Sequence, residues 1–431
     1  MSPPAANDPG RPSSAAALLG WRDGLVAVVA GFVAMAVTAA LGLWAAGAAD
    51  LPGGAFPRVV AAVVVMAAGG SVDINGGAGF LAGAQADLAA LPLSVSLAGA
   101  LTAGWLFLRP LHGRAVASAR ELALRAVQLT VLWLLLLTGC ALLARQTFGV
   151  STGDNPLGEL GDLLDSAPTV GFEADVGATL LFGLLWILGL LLVALLVSRR
   201  APLPARLLRY HSALRPAASA MVFLLLAYVA VGVVIGLVVV VVKGHAAETL
   251  AVMLLALPNL MWIALTLGLG GAWEGRVDGP FGLPMPQALD QVLRGPDRSR
   301  LDVSALLAHD GRAWWLVVAA VVLVLAAGWV MAVRSPAQVR LWQHALHMAL
   351  ALALTVLVVS LLGDLHARIG LSVLGIGDVD SLGGRVELRP VLWRTVACAL
   401  GAGAVAGFVG GLLASRVRRG PVADPAGPPA P

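Results

Sequence analysis

Nine long apolar runs constrain this chain more than any other feature in it. They cover residues 25–46, 91–108, 126–143, 176–197, 217–242, 249–271, 315–333, 342–362 and 396–415. A hydrocarbon core about 30 Å thick takes about 20 apolar residues of helix, and these runs meet or approach that length. Composition agrees: 59% of the chain is hydrophobic and 12% charged, where a soluble globular domain carries about 25% charged residues. The expected fold is all-α, a polytopic transmembrane helix bundle. A tenth run, 59–70, is too short to span. It ends in Gly69-Gly70 and continues into Ser71-Val72-Asp73-Ile74-Asn75-Gly76-Gly77, which has turn chemistry and no helical period.

The first 20 residues, rich in Pro, Ala, Ser and Gly, read as a disordered tail, as do 421–431. The run at 25–46 reads as a retained helix, being long for a signal-peptide core. The formal charge of +4 comes almost wholly from arginines scattered between apolar runs, so nothing forms the basic stripe of a nucleic-acid binder. Cys140 and Cys398 stand far apart within apolar runs and read as small buried hydrophobes.

Three landmarks recur in order along the chain. Ala103-Gly104-Trp105 before Arg109-Pro110 returns as Ala327-Gly328-Trp329 before Arg334-Ser335-Pro336. Leu196-Val197-Ser198-Arg199-Arg200 returns as Leu413-Ala414-Ser415-Arg416, and Gly69-Gly70 returns as Gly270-Gly271. This pattern divides the chain into two related transmembrane halves, 21–205 and 215–420.

Arginines mark cytoplasmic loops. Arg109, Arg114, Arg120 and Arg125 mark one, and Arg199, Arg200, Arg206, Arg209 and Arg215 another. Residues 146–175 between them hold six acids and no Lys or Arg, so they face outward. The 59–70 run must then dip in and return as a re-entrant half-helix, which is tolerated where protein covers its backbone. By duplication, 249–271 does the same, with Pro258-Asn259 permitting a sharp break. Each half thus holds four full spans plus one re-entrant or broken helix, with both termini cytoplasmic. The alternative is nine or ten full spans, with Pro258 only kinking a crossing helix.

Several of these segments carry a resemblance. Gly69-Gly70-Ser71-Val72, Gln85-Ala86, Leu91-Pro92-Leu93-Ser94-Val95, Leu108-Arg109-Pro110-Leu111, and Leu257-Pro258-Asn259 with Trp262 resemble the streptophobe family, polytopic membrane proteins of Streptomyces and close relatives. The likeness runs over nearly the whole chain. It implies a multi-pass plasma-membrane protein and brings no catalytic residue, ligand or cofactor with it.

The search for chemistry turns up no phosphate loop, zinc helix or nucleophile elbow. No metal, cofactor or catalytic residue is expected. No full span carries an ionisable residue near its centre, where a coupled transporter keeps one. The candidate solute or packing site is therefore the pair of broken segments: Asn259, Pro258, Asp73, Asn75, Gly69 and Gly70. Gly403, Gly407 and Gly411 form a small-residue stripe for close helix packing. The leading functional reading is a non-enzymatic envelope protein whose partners are the bilayer and a membrane or envelope protein. A transporter or channel with its site at the broken segments is the first alternative, and a membrane-embedded enzyme on lipid-linked substrates the second.

Overall fold

In the computed structural model, residues 14–51, 54–78, 82–89, 91–109, 119–149, 169–198, 211–278, 299–336, 338–373 and 384–418 are described. The first half runs α1 (Ser14–Ala45), α2 (Phe56–Ala67), β1 (Val72–Ala78), β2 (Ala82–Ala89), α3 (Leu93–Leu108), α4 (Ala119–Leu143), β3 (Arg145–Gly149), β4 (Thr169–Ala174) and α5 (Val176–Val197). The second runs α6 (His211–Lys243), α7 (Ala246–Gly268), β5 (Trp273–Asp278), β6 (Ser299–Leu301), α8 (Val303–His309), α9 (Trp314–Arg334), α10 (Leu341–Leu362), β7 (Leu365–Val373), β8 (Gly384–Pro390) and α11 (Leu392–Arg418). Apart from α8, the order of elements in the second half repeats the first.

The protein is a polytopic helix bundle. Among the described residues, 8 helices are long and apolar enough to cross a membrane: α1, α4, α5, α6, α7, α9, α10 and α11. Membership differs from the sequence expectation, because α3 is a shorter apolar helix and α7 is long enough to count. α1 begins at Ser14, inside the stretch expected to be a tail, while 421–431 lie outside the described residues.

Large apolar side chains such as Leu135, Leu185, Val241 and Leu354 are exposed, as lipid-facing helix surfaces require. The interior is knit by small residues and aromatics. Trp133 stacks on Trp186 with centroids 4.4 Å apart and meets Phe32 at 4.5 Å, and Trp186 Nε1 donates to Ser96 Oγ at 2.8 Å. The glycine stripe of α11 lies against α10: a Cβ on Gly403 would stand 2.7 Å from Ala349 Cα, and one on Gly407 would strike the His344 carbonyl.

The segments between helices hold a feature that the sequence reading passed over. All eight strands join one antiparallel sheet in the order β3-β4-β1-β2-β7-β8-β5-β6. The stretch 71–77, read as turn chemistry, forms most of β1. The spatial order β3-β4-β1-β2 of the first half recurs as β7-β8-β5-β6 in the second. The sheet gathers every strand at one end of the bundle. α3, α5, α9 and α11 leave from that end, α4 and α10 return to it, and α2 and α7 both hand the chain to it. The described strands within 146–175, 272–313 and 363–394 therefore share one side.

The expected break at Pro258-Asn259 does not occur, since α7 runs through Pro258 without interruption. The sharp turns fall at the helix ends instead. Gly69 and Gly270 both take φ of 92°, a left-handed conformation that costs a residue with a Cβ about 1–2 kcal/mol. Gly70 N–H returns to the Val65 carbonyl and Gly271 N–H to Thr266, each at the sixth position of a helix-stop motif. Space closes both turns: a Cβ on Gly70 would lie 2.6 Å from Thr179 Oγ1, and one on Gly271 would lie 2.6 Å from the Thr266 carbonyl and 2.9 Å from Thr395. Gly270→Ala is expected to lower the thermal unfolding temperature in detergent or nanodiscs. Gly271→Val, which adds a collision with backbone, should lower it further, whereas Gly139→Ala, inside α4 with nothing near its added Cβ, should not lower it, alanine being the better helix former.

Candidate functional site

The broken-segment residues do not assemble into one chamber. Asn259 lies at the junction of α7 with α3, where each end of its amide makes a hydrogen bond: Nδ2 donates to the Leu91 carbonyl at 2.8 Å and Oδ1 accepts from Leu93 N–H at 3.1 Å. A helix start leaves its first N–H groups without intrahelical partners, so Asn259 caps α3 from another helix. One residue along, Ser94 Oγ donates to the Met253 carbonyl at 2.9 Å and accepts from Leu257 N–H at 3.2 Å. Met253 and Leu257 are one α-helical step apart, so the hydroxyl bridges the α7 ladder just before Pro258. A side chain inserted there lets the helix bend without orphaning its backbone.

Asp73 and Asn75 lie apart from that junction, on β1. Asp73 is exposed, and Asn75 opposes Gln85 on β2 and Gly171 on β4. Gly69 and Gly70 shape the turn that leads into β1, beside Phe182 and Thr179 of α5.

Asp73 belongs to a larger arrangement that sequence reasoning missed. Directly opposed residues of an antiparallel sheet lie on the same face. Following the register across seven strands gives one unbroken row of ionisable residues: Arg145, Glu173, Asp73, Asp87, Arg368, Arg385 and Asp278. The adjacent row, on the opposite face, is Ala174, Val72, Leu88, Ala367, Val386 and Val277, apolar at every position. The two adjacent rows thus differ sharply in residue type. Arg145 and Glu173 form an ion pair at 3.2 Å with both side chains exposed, so the charged face meets solvent at this edge. The first-half stretch of the row carries three acids against one arginine, and the second-half stretch two arginines against one acid. The signal was present in the sequence as strict alternation, clearest in Leu365-His366-Ala367-Arg368-Ile369-Gly370-Leu371-Ser372-Val373.

Arg394, in the first turn of α11, ties this region to the bundle. Its Nε donates to the Gly270 carbonyl at 3.1 Å and its guanidinium reaches Asp302 at 3.4 Å. Asp302 caps α8 by accepting from Ala305 N–H at 3.0 Å, and it also accepts from Ser304 Oγ. Burial works to raise the Asp302 carboxyl, but the Ser304 and Ala305 hydrogen bonds and the Arg394 charge outweigh it and hold the group below its ordinary value. No group of three or more metal-ligating side chains occurs among the described residues.

Two predictions follow from these contacts. Asn259→Leu leaves the Leu91 carbonyl and the Leu93 N–H without partners, at about 1–3 kcal/mol for each buried orphan; it should lower the unfolding temperature more than Ser94→Ala. A depressed carboxyl contributes stability that is complete above the unfolded value of about 3.9 and is lost as pH falls through the lower folded value. The Asp302→Asn variant should therefore show a shallower acid limb in its melting temperature against pH.

No protein-family model matches the chain, and neither a curated protein nor a solved structure matches it.

Proposed function

We propose that this is a non-enzymatic envelope protein of the actinobacterial plasma membrane that presents its charged sheet face to a polar partner outside the cell. The observation that carries this reading is the row of seven ionisable residues in register on one face of a sheet built at one end of the bundle. Keeping the opposite face apolar accounts for the fold of the sheet; it does not require charge to run unbroken across seven strands. A solute site at Asn259 has less support, because each end of that amide already bonds backbone at the start of α3.

The topology belongs to the same proposal. Both ends of α7 connect to the sheet end if α6 crosses the bilayer, and the same parity holds for α2 if α1 crosses. Each helix then starts and ends on the sheet side without crossing, α7 as one unbroken helix, with the sheet outside and both termini cytoplasmic. Two related halves, joined by tandem duplication, explain why Phe56-Pro57-Arg58 precedes Gly69-Gly70 at the same spacing as Leu257-Pro258-Asn259 precedes Gly270-Gly271. They also explain why Gly104 packs on Leu190 of α5 while Gly328 packs on Ala406 of α11. The resemblance to the streptophobe family supplies the proposed cellular address.

The test is complementation of a deletion strain scored for cell-wall antibiotic sensitivity. The triple variant Arg145→Gln, Asp73→Asn, Glu173→Gln should reach the membrane at wild-type level, melt within about 1 °C of it, since exposed pairs contribute little, and fail to complement. Full complementation by that variant, or solute flux through proteoliposomes of the purified protein, would overturn the reading. Impermeant thiol reagents should label single cysteines placed at Thr147 and Ser304 in intact cells. Labelling of either only after permeabilisation would refute the topology.

A further inference from the structure

The contact between the two halves is of the head-to-tail kind. The first half contributes the β2 edge, α1 and the start of α3; the second contributes the β7 edge and α7. β2 pairs with β7 over eight residues, Ala82–Ala89 against Val373–His366. Gly42 of α1 receives Leu254 and Leu255 of α7, and Asn259 of α7 caps α3. An interface of this kind uses two different surfaces, so repeating it leaves one copy of each surface unused at the two ends of the assembly.

Both unused surfaces can be named. Among the described residues, β3 and β6 are the two edges of the sheet, and an edge strand offers unpaired N–H and C=O groups to another chain. β6 stands in the second half where β2 stands in the first, because Leu301 opposes Trp273 as Leu88 opposes Val72. β3 corresponds in the same way to β7. Beneath the sheet, the α2 residue at the position of Asn259 is Arg58, which follows Pro57 as Asn259 follows Pro258; it is exposed. The site that Asn259 reaches, Leu91 to Leu93 at the start of α3, corresponds to the start of α9. There Trp314 and Trp315 stack on each other at 4.2 Å and are 47% and 58% exposed. An arginine and an exposed tryptophan pair are complementary through cation–π contact.

We propose that a second copy of this chain docks head-to-tail on the first, its β3 edge against β6 and its Arg58 on the Trp314–Trp315 pair. The inference rests on the reading of two related halves. The operation that relates the halves keeps both in one membrane, so its repetition also leaves every copy in that plane, producing rows or rings in place of a closed two-fold dimer.

The experiment uses two differently tagged full-length chains in a background carrying Cys140→Ala and Cys398→Ala. One chain bears Arg58→Cys and the other Trp315→Cys, co-expressed and treated with a short bismaleimide in membranes. Cross-linking between position 58 of one chain and position 315 of the other is expected, with at least tenfold less 58-to-58 or 315-to-315 product. Mass photometry of the untreated native-sequence protein in native-lipid nanodiscs should give species larger than one chain, reduced by Arg58→Glu. A monomer in nanodiscs without the mixed cross-link would overturn the proposal, as would predominance of the symmetric cross-links. Failure of the two-halves reading shows separately, as an experimental structure in which Trp105 and Trp329 take unrelated places.

Discussion

Backbone polar groups inside an apolar bundle have no water to turn to, and this constraint governs the places where the chain is irregular. Pro258 has no N–H to offer the carbonyl one turn earlier, and α3 begins inside the bundle with N–H groups that no earlier turn can satisfy. The junction between these two helices answers the second need and adds side-chain bonds to the α7 backbone just before the first. Ser94 bridges the α7 ladder at Met253 and Leu257, and Asn259 caps α3 at Leu91 and Leu93. Each helix supplies the polar group that the other lacks, which fixes their relative height and joins the two halves.

The glycine pairs answer the same constraint at the far end of α2 and α7. A left-handed turn at Gly69 or Gly270 lets the next N–H reach back to a helix carbonyl, so the chain reverses toward the sheet with its groups partnered. Arg394 then donates to the Gly270 carbonyl and binds Asp302, which carries the tie from the buried turn out to α8. Charge at this span end is a structural connection between the bundle and the region beyond it.

The sheet is a second solution to backbone pairing. Eight strands from four separate loops pair with one another, and their register places a row of ionisable residues beside a row of apolar ones. The proposed function and the proposed self-association use different parts of it. The first proposal uses the charged row as the surface for a polar partner, and the second uses the two edges as the place where another chain adds.

The bundle was legible in the sequence because twenty-residue apolar runs admit few structures other than membrane-spanning helices, and the Gly69-Gly70 and Gly270-Gly271 turns were legible because glycine pairs at helix ends are a local signal. The strands were also locally encoded, in the alternation of 365–373, yet they were obscured by the composition of long loops read as solvated connections. Other features had no local signal at all. That a hydroxyl of Ser94, more than 150 positions away in the chain, would bond the α7 backbone at Met253 and Leu257 could not be read locally. That Asn259 would cap a helix, and that seven charges from seven strands would align, depended on register and helix height. Local sequence sets which groups need partners; only the packed structure decides which distant groups meet them, because those contacts join residues that are close in space and far apart along the chain.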